Sequence, residues 1–181
     1  MLRVLALALF FAACQPAPEP APDGAETHHQ MPHSPYAGQE TAAVLGLTAA
    51  EVAGFQNGAG LGFARPAELS SYPGPMHVLE LADSLDLSPE QRQLAQQYMH
   101  AVKTEARRLG AELVDAERQL DALFVSSTAD STSVAQAVAR SGALRERIRT
   151  AHLHAHLAMR DALTPGQISV YDRLRGYSDG R

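Results

Sequence analysis

Three side chains near the C-terminal end of the chain have the types and spacing of metal ligands. His152 and His156 are four residues apart, so in a helix their imidazoles lie on one face, one turn from each other, and can bind the same ion. Met159 follows three residues later and can add a thioether. The alternative is that the two histidines are ordinary interfacial residues that flank an apolar seam.

A complete metal site needs further donors from other parts of the chain. His77 and Glu80 share a helical face, and Met99 precedes His100 near the start of the next helix. We therefore predict a site for a zinc, nickel, cobalt or copper ion, with no organic cofactor. Its predicted ligands are His152, His156, Met159, His77 and His100.

The sequence offers little for catalysis. It has no HExxH motif and no nucleophile in a strand-turn-helix context. A di-metal helical bundle would need Glu-x-x-His pairs on facing helices, and neither 80–83 nor 115–118 supplies one. We predict that the protein is not an enzyme.

The elements that must position these residues are all helical, since no alternating β-branched run indicates a strand. A short helix is predicted from the Thr48 capping box to about Gln56, and another over 76–85. A long helix from Pro89 carries apolar and small residues at coiled-coil spacing. Its predicted partner is a third helix opened by a capping box of Ser133 and Gln136, and a last helix runs from Pro165 to about 176.

These elements predict a hooked antiparallel helical hairpin with short flanking helices, four helices in the core region. The predicted seam of the long helix consists of Ala95, Met99, Val102, Ala106, Leu109, Leu113, Ala116, Leu120 and Leu123. The matching stripe of the third helix contains Val134, Ser141, Leu144, Ile148, Ala151, Ala155 and Ala162.

The N-terminal residues indicate export. Residues 1–13 have one Arg and an apolar run typical of a signal peptide, and Cys14 stands at the cleavage point, as in a bacterial lipoprotein. The alternative is an ordinary secretory peptide with an incidental cysteine. Gln15 after the cysteine favours the outer membrane, so we predict a periplasmic protein anchored through an acylated Cys14.

The region behind the cysteine predicts a tether rather than a core. Residues 14–40 are rich in Pro and contain His28, His29, Met31 and His33, which can catch metal ions or simply belong to a solvated linker. Residues 41–75 follow as a short helix and a Gly/Pro-rich loop, then a helical domain over 76–177 and a tail over 178–181. The net charge of −5 and pI near 5.9 argue against nucleic acid as a partner.

One phrase occurs twice, as Leu87-Ser88-Pro89-Glu90-Gln91 and Leu163-Thr164-Pro165-Gly166-Gln167. Each copy predicts a helix start, with Ser or Thr as the cap, Pro in the first turn and Gln three residues after the cap. Exported, helical and free of Trp, the chain resembles over 76–177 the LTxxQ-motif periplasmic family, which includes Spy, CpxP, ZraP and CnrX. The resemblance rests on Leu87, Ser88, Gln91, Leu163, Thr164 and Gln167.

The resemblance implies a hooked hairpin that forms an intertwined or antiparallel homodimer and acts in envelope stress or metal response. Some members are heavy-metal sensors that report to a membrane-bound regulator, such as an anti-sigma factor or a histidine kinase. Others are ATP-independent chaperones that hold unfolded clients on a basic and apolar face. We expect a sensor or accessory protein, with the chaperone as the alternative. The basic residues available for client binding are Lys103, Arg107, Arg108, Arg140, Arg145, Arg147, Arg149 and Arg160.

Overall fold

The computed structural model describes residues 34–177. The predicted signal peptide, Cys14, the tether histidines and the tail after 177 lie outside the described residues. From residue 36 onward the chain forms one compact unit, and its described part contains six helices and no strand. In chain order these are α1 (Ala49–Asn57), α2 (Arg65–Glu68), α3 (Pro75–Glu80), α4 (Pro89–Val125), α5 (Ser131–Ala162) and α6 (Pro165–Leu174).

The long helices α4 and α5 form the predicted hairpin. At 1.5 Å per residue, the 37 residues of α4 extend about 55 Å. Within its predicted seam, Ala95, Ala106, Leu109, Leu113 and Ala116 are buried. In α5 the buried positions include Ser141, Leu144, Ile148 and Ala155, as its stripe predicted. Of the short helices, α1 and α3 pack chiefly against α4.

Two predicted helix boundaries are wrong. The third helix does not begin with a box of Ser133 and Gln136: Asp130 is its N-cap, and Ser133 is the N3 partner. The Asp130 carboxylate accepts from the amides of Thr132 and Ser133, so it satisfies two orphan N–H groups and starts the helix earlier. The predicted helix over 76–85 ends at Glu80, and Asp86 lies in the left-handed region at φ 47°. The four-residue α2 was not predicted.

Apolar residues form two core clusters. The first joins α1 to the middle of the hairpin, with Phe55 against Leu109, Leu113 and Ile148. Because Val44 and Leu47 also belong to it, the residues before α3 share a core with the long helices. The second cluster closes the other end of the hairpin, where Val78, Ala82, Leu85, Leu87, Ala95, Met159, Leu163, Ile168 and Tyr171 pack together.

The two copies of the repeated phrase meet in the second cluster. Each makes the capping box that the sequence predicted, at Ser88 with Gln91 and at Thr164 with Gln167. The side-chain amides of Gln91 and Gln167 also bond each other, with both Nε2 to Oε1 distances at 2.9 Å. We call these two residues the glutamine pair. It fixes the start of α4 beside the start of α6.

Each glutamine also bonds the backbone at both copies of the phrase. Gln91 Nε2 donates to the carbonyl of Ala162 at 2.9 Å, just before the second copy. Gln167 Nε2 donates to the carbonyl of Leu85 at 3.1 Å, just before the first. Each Oε1 accepts from the amide of its own cap, Ser88 or Thr164. The motif residue that ends each capping box is therefore also a tertiary contact.

Candidate functional site

A cavity of about 550 Å³ lies where the Gly-rich loop 57–62 faces the two long helices. Its walls include Met99 and Val102 from α4, and Ala155 from α5. Most of its lining is apolar, and its polar side chains come from separate parts of the chain. We call it the histidine cavity, because His77, His152 and His156 all line it.

His152 and His156 each have one ring nitrogen hydrogen-bonded to a backbone carbonyl. His152 Nδ1 lies 2.9 Å from the carbonyl of Ile148, and His156 Nδ1 lies 2.7 Å from the carbonyl of Tyr72. A carbonyl only accepts hydrogen bonds, so each Nδ1 must carry the proton and donate it. In the neutral imidazoles, Nε2 is then the atom with the free lone pair. Metal-binding histidines have this arrangement in most proteins.

Burial favours the neutral form of His152. Desolvation lowers its pKa, the hydrogen bond to Ile148 opposes that effect, and the neighbouring His156 lowers it further. A neutral imidazole at neutral pH is the state that binds a metal ion. His152 is therefore available as a ligand without first losing a proton.

The segment 72–75 fits closely around His156. A Cβ on Gly74 would lie 2.8 Å from Cε1 and 2.9 Å from Nε2 of His156, both shorter than carbon contacts allow. Glycine at this position therefore lets the backbone approach the ring. Arg160 also contacts this part of the chain, because its guanidinium donates to the carbonyl of Ser71 at 2.6 Å.

Glu68 is the buried carboxylate of the cavity, and nothing in the sequence singled it out. It ends α2 with a relative exposure of 9%. Its Oε1 accepts from Tyr171, from His77 Nδ1 at 3.0 Å and from Tyr177 at 3.2 Å. Arg175 Nε lies 3.8 Å away. We call these five residues the Glu68 cluster.

The second oxygen of Glu68 differs from the first. Oε2 is buried and has no hydrogen-bond partner among the described residues, and His156 Nδ1 lies 3.6 Å from it. A polar oxygen without a partner is costly to bury. A cation in the cavity would satisfy it.

The predicted ligands occupy different places. His152, His156 and His77 line the cavity, but His77 is already engaged, since Nδ1 donates to Glu68 and Nε2 faces Arg175 at 3.4 Å. Met159 is completely buried in the second core cluster. His100 is exposed on α4 and does not line the cavity.

The candidate donors do not form a complete metal-binding site. Within residues 34–177 there is no group of three or more His, Cys, Asp or Glu side chains arranged to hold a metal ion. Glu80, a candidate donor from the sequence, is exposed and outside the cavity lining, whereas Met99 lines it. The chemistry available is two imidazole nitrogens, one carboxylate oxygen and a thioether, which fits a borderline or soft ion only after side chains move together.

Comparison with known proteins identifies the class. The family model for heavy-metal resistance matches residues 41–169, so the chain belongs to that heavy-metal resistance family. The LTxxQ resemblance is thereby confirmed, and the function is related to heavy-metal resistance. No curated protein and no solved structure gave a significant match. No helix among the described residues is long and apolar enough to cross a membrane.

Proposed function

We propose that this protein is a non-enzymatic metal-binding sensor or accessory protein of the periplasm. The ion would be held in the histidine cavity by Nε2 of His152 and His156 and by Oε2 of Glu68, once these side chains move together. The observation that carries this proposal is the coincidence, in one cavity, of two imidazoles with fixed tautomers and a buried oxygen without a partner. Family membership supports the same chemistry.

The rest of the proposal places the site in the cell. Acylation of Cys14 would hold the protein at the membrane surface, with the outer membrane favoured. A homodimer that contacts a membrane-bound regulator would convert ion binding into a response. Zinc, nickel, cobalt and copper ions all accept imidazole nitrogen, so the donor types allow each of them.

Metal titration of the full chain tests the site. We expect calorimetry to detect one ion per chain at the cavity, and the double variant His152→Ala/His156→Ala to weaken that binding by at least about a hundredfold. His154→Ala is the matched control, because His154 lies between the two on α5 and is exposed outside the cavity. Its binding should equal that of the unmodified chain.

The tether histidines need a separate control, because they can bind ions on their own. A variant with His28, His29 and His33 changed to Ala removes that contribution and should leave the cavity site intact. If no ion gives binding that the His152/His156 double variant removes, the proposed metal site is wrong.

One observation favours the chaperone as a second candidate. Large apolar side chains are exposed where the hairpin turns: Phe124 is 59% exposed, Val125 76% and Val138 52%. Exposed apolar surface of this kind suits unfolded clients. If it binds them, the full chain at near-stoichiometric amounts should suppress aggregation of a denatured client, and Phe124→Ser/Val125→Ser should lose the effect. Absence of suppression, with or without metal, rejects this candidate.

A further inference from the structure

Large apolar side chains that line the histidine cavity also remain exposed to solvent, so they lie at its opening. Leu61 is 41% exposed, Leu69 48% and Met76 46%, and all three line the cavity. Behind them the lining includes the half-buried side chains of Met99 and Val102 from α4. Apolar surface gathered around a cavity is typical of sites that bind small organic molecules.

The loop between α1 and α2 holds Leu61 in an unusual conformation. Its φ is 43°, in the left-handed region that leucine rarely adopts. Gly54 in α1 makes room for the side chain, since a Cβ on Gly54 would lie 2.5 Å from Leu61 Cδ2. Backbone strain of this kind persists where the surrounding structure maintains it, and it is common at ligand-binding sites. Leu61 is therefore a fixed part of the cavity wall.

Two cationic side chains lie at the same opening. Arg65 from α2 and Lys103 from α4 are both exposed and both line the cavity. Neither makes an ion pair within residues 34–177. The described lining contains one carboxylate, Glu68, which is buried and has Arg175 Nε at 3.8 Å. The opening is therefore positively charged, although the chain as a whole has a net charge of −5.

We propose that the histidine cavity binds a small amphipathic carboxylate, whose apolar chain enters the cavity and whose anionic group stays at the opening beside Arg65 and Lys103. A volume of about 550 Å³ is in the usual range of small-molecule sites, about 300 to 1,000 Å³. Burial of the chain supplies most of the binding free energy, and the two cations favour an anionic group. The inference goes beyond the proposed function and is independent of it, because no metal ion takes part.

Calorimetric titration of the full chain with octanoate tests this proposal, with EDTA present to remove metal ions. Octanol has the same apolar chain without the charge and is the comparison ligand. We expect octanoate to bind about tenfold more tightly than octanol at low salt, because it gains two charge interactions at the exposed edge of the cavity. The difference should become smaller as added NaCl screens these interactions.

The double variant Arg65→Gln/Lys103→Gln removes both charges from the opening. It should bind octanoate about tenfold more weakly and octanol as the unmodified chain does, so that the two ligands become equal. The matched control is Arg118→Gln/Arg149→Gln, which changes two exposed arginines outside the cavity lining and should keep the difference. Met76→Gln makes the opening less apolar and should weaken the binding of both ligands by about threefold.

Two kinds of result would contradict the proposal. If octanoate does not bind, the cavity is not a site for amphipathic carboxylates. If octanol binds as tightly as octanoate, or if their difference survives in Arg65→Gln/Lys103→Gln, the two cations do not select the ligand and the proposal is wrong. Neither result bears on the proposed metal site, because the titration contains EDTA and the variants leave His152 and His156 unchanged.

Discussion

The glutamine pair and the Glu68 cluster are both groups of polar side chains that join separate parts of the chain. They differ in how many of their polar atoms have hydrogen-bond partners. In the glutamine pair, the Oε1 and Nε2 of each side chain all have partners, and the arrangement is nearly symmetric. In the Glu68 cluster, Oε1 has three hydrogen-bond donors, and Oε2 has none within residues 34–177.

This difference indicates that the glutamine pair and the Glu68 cluster have different roles. A satisfied neutral network stabilises one arrangement of the helices and has nothing left to offer a ligand. A buried carboxylate oxygen without a partner costs stability, which a bound cation would offset. The repeated motif therefore supports the fold, and the proposed metal site lies in a region that the motif does not include.

The largest expected effect comes from breaking the glutamine pair. Gln91→Leu removes the hydrogen-bond partner of Gln167 and of the Ser88 and Ala162 backbone groups. We therefore expect the free energy of unfolding to fall by about 2 kcal/mol. Gln167→Leu should lower the free energy of unfolding by about the same amount. The double variant should lower it by less than the sum of the two single effects, because both single changes break one shared contact. Denaturant unfolding measures all three.

Ion binding is the control for this change. Because the glutamine pair does not line the cavity, the affinity of the folded variants for the ion should stay within about twofold of the unmodified chain. Additive free energies for Gln91→Leu and Gln167→Leu would show that the two copies of the motif act independently.

The next effect comes from removing only the charge of Glu68. Glu68→Gln keeps the side-chain shape and an oxygen that can accept from the tyrosines, so we expect stability to change by less than about 1 kcal/mol. The affinity for the ion should fall at least about tenfold, because the anionic ligand is lost. A variant that loses as much stability as Gln91→Leu and binds the ion normally would make the Glu68 cluster structural only.

The sequence predicted the features that depend on nearby residues. The starts of α1, α4 and α6 were correct because their capping boxes join residues three apart. The start of α5 was wrong, because the predicted box of Ser133 and Gln136 lies inside the helix and the carboxylate of Asp130, which accepts two amides, caps it earlier. The hairpin was correct because its apolar spacing extends over many turns.

The Glu68 cluster could not be predicted in this way. Glu68 meets His77 nine residues later, His156 from α5 and Tyr171 from α6, and no local pattern relates these positions. Sequence spacing favoured Glu80 as the acidic donor beside His77, but Glu80 is exposed. His152 and His156 could be named as candidates because their spacing on α5 is itself the signal, and both line the cavity. The packing of Met159 into the core depends on the second cluster.

The smallest expected effect is a pH dependence of stability that involves His152 in the cavity and not the glutamine pair. His152 has a folded pKa below its ordinary value of 6.5, mainly because of burial. Its contribution to stability is therefore full above about pH 6.5 and is lost as the pH falls toward the lowered folded pKa. Thermal unfolding at pH 7.5 and at pH 5 should show that His152→Gln reduces this loss, by less than about 1 kcal/mol.

The glutamine pair contains no group that titrates in this range, so Gln91→Leu should lower stability equally at both pH values. His156 and Glu68 also line the cavity with His152, which is why the comparison is made between variants rather than on one protein. If Gln91→Leu alters the pH dependence as much as His152→Gln does, the two regions are coupled, and the division between a supporting glutamine pair and a responsive cavity is wrong.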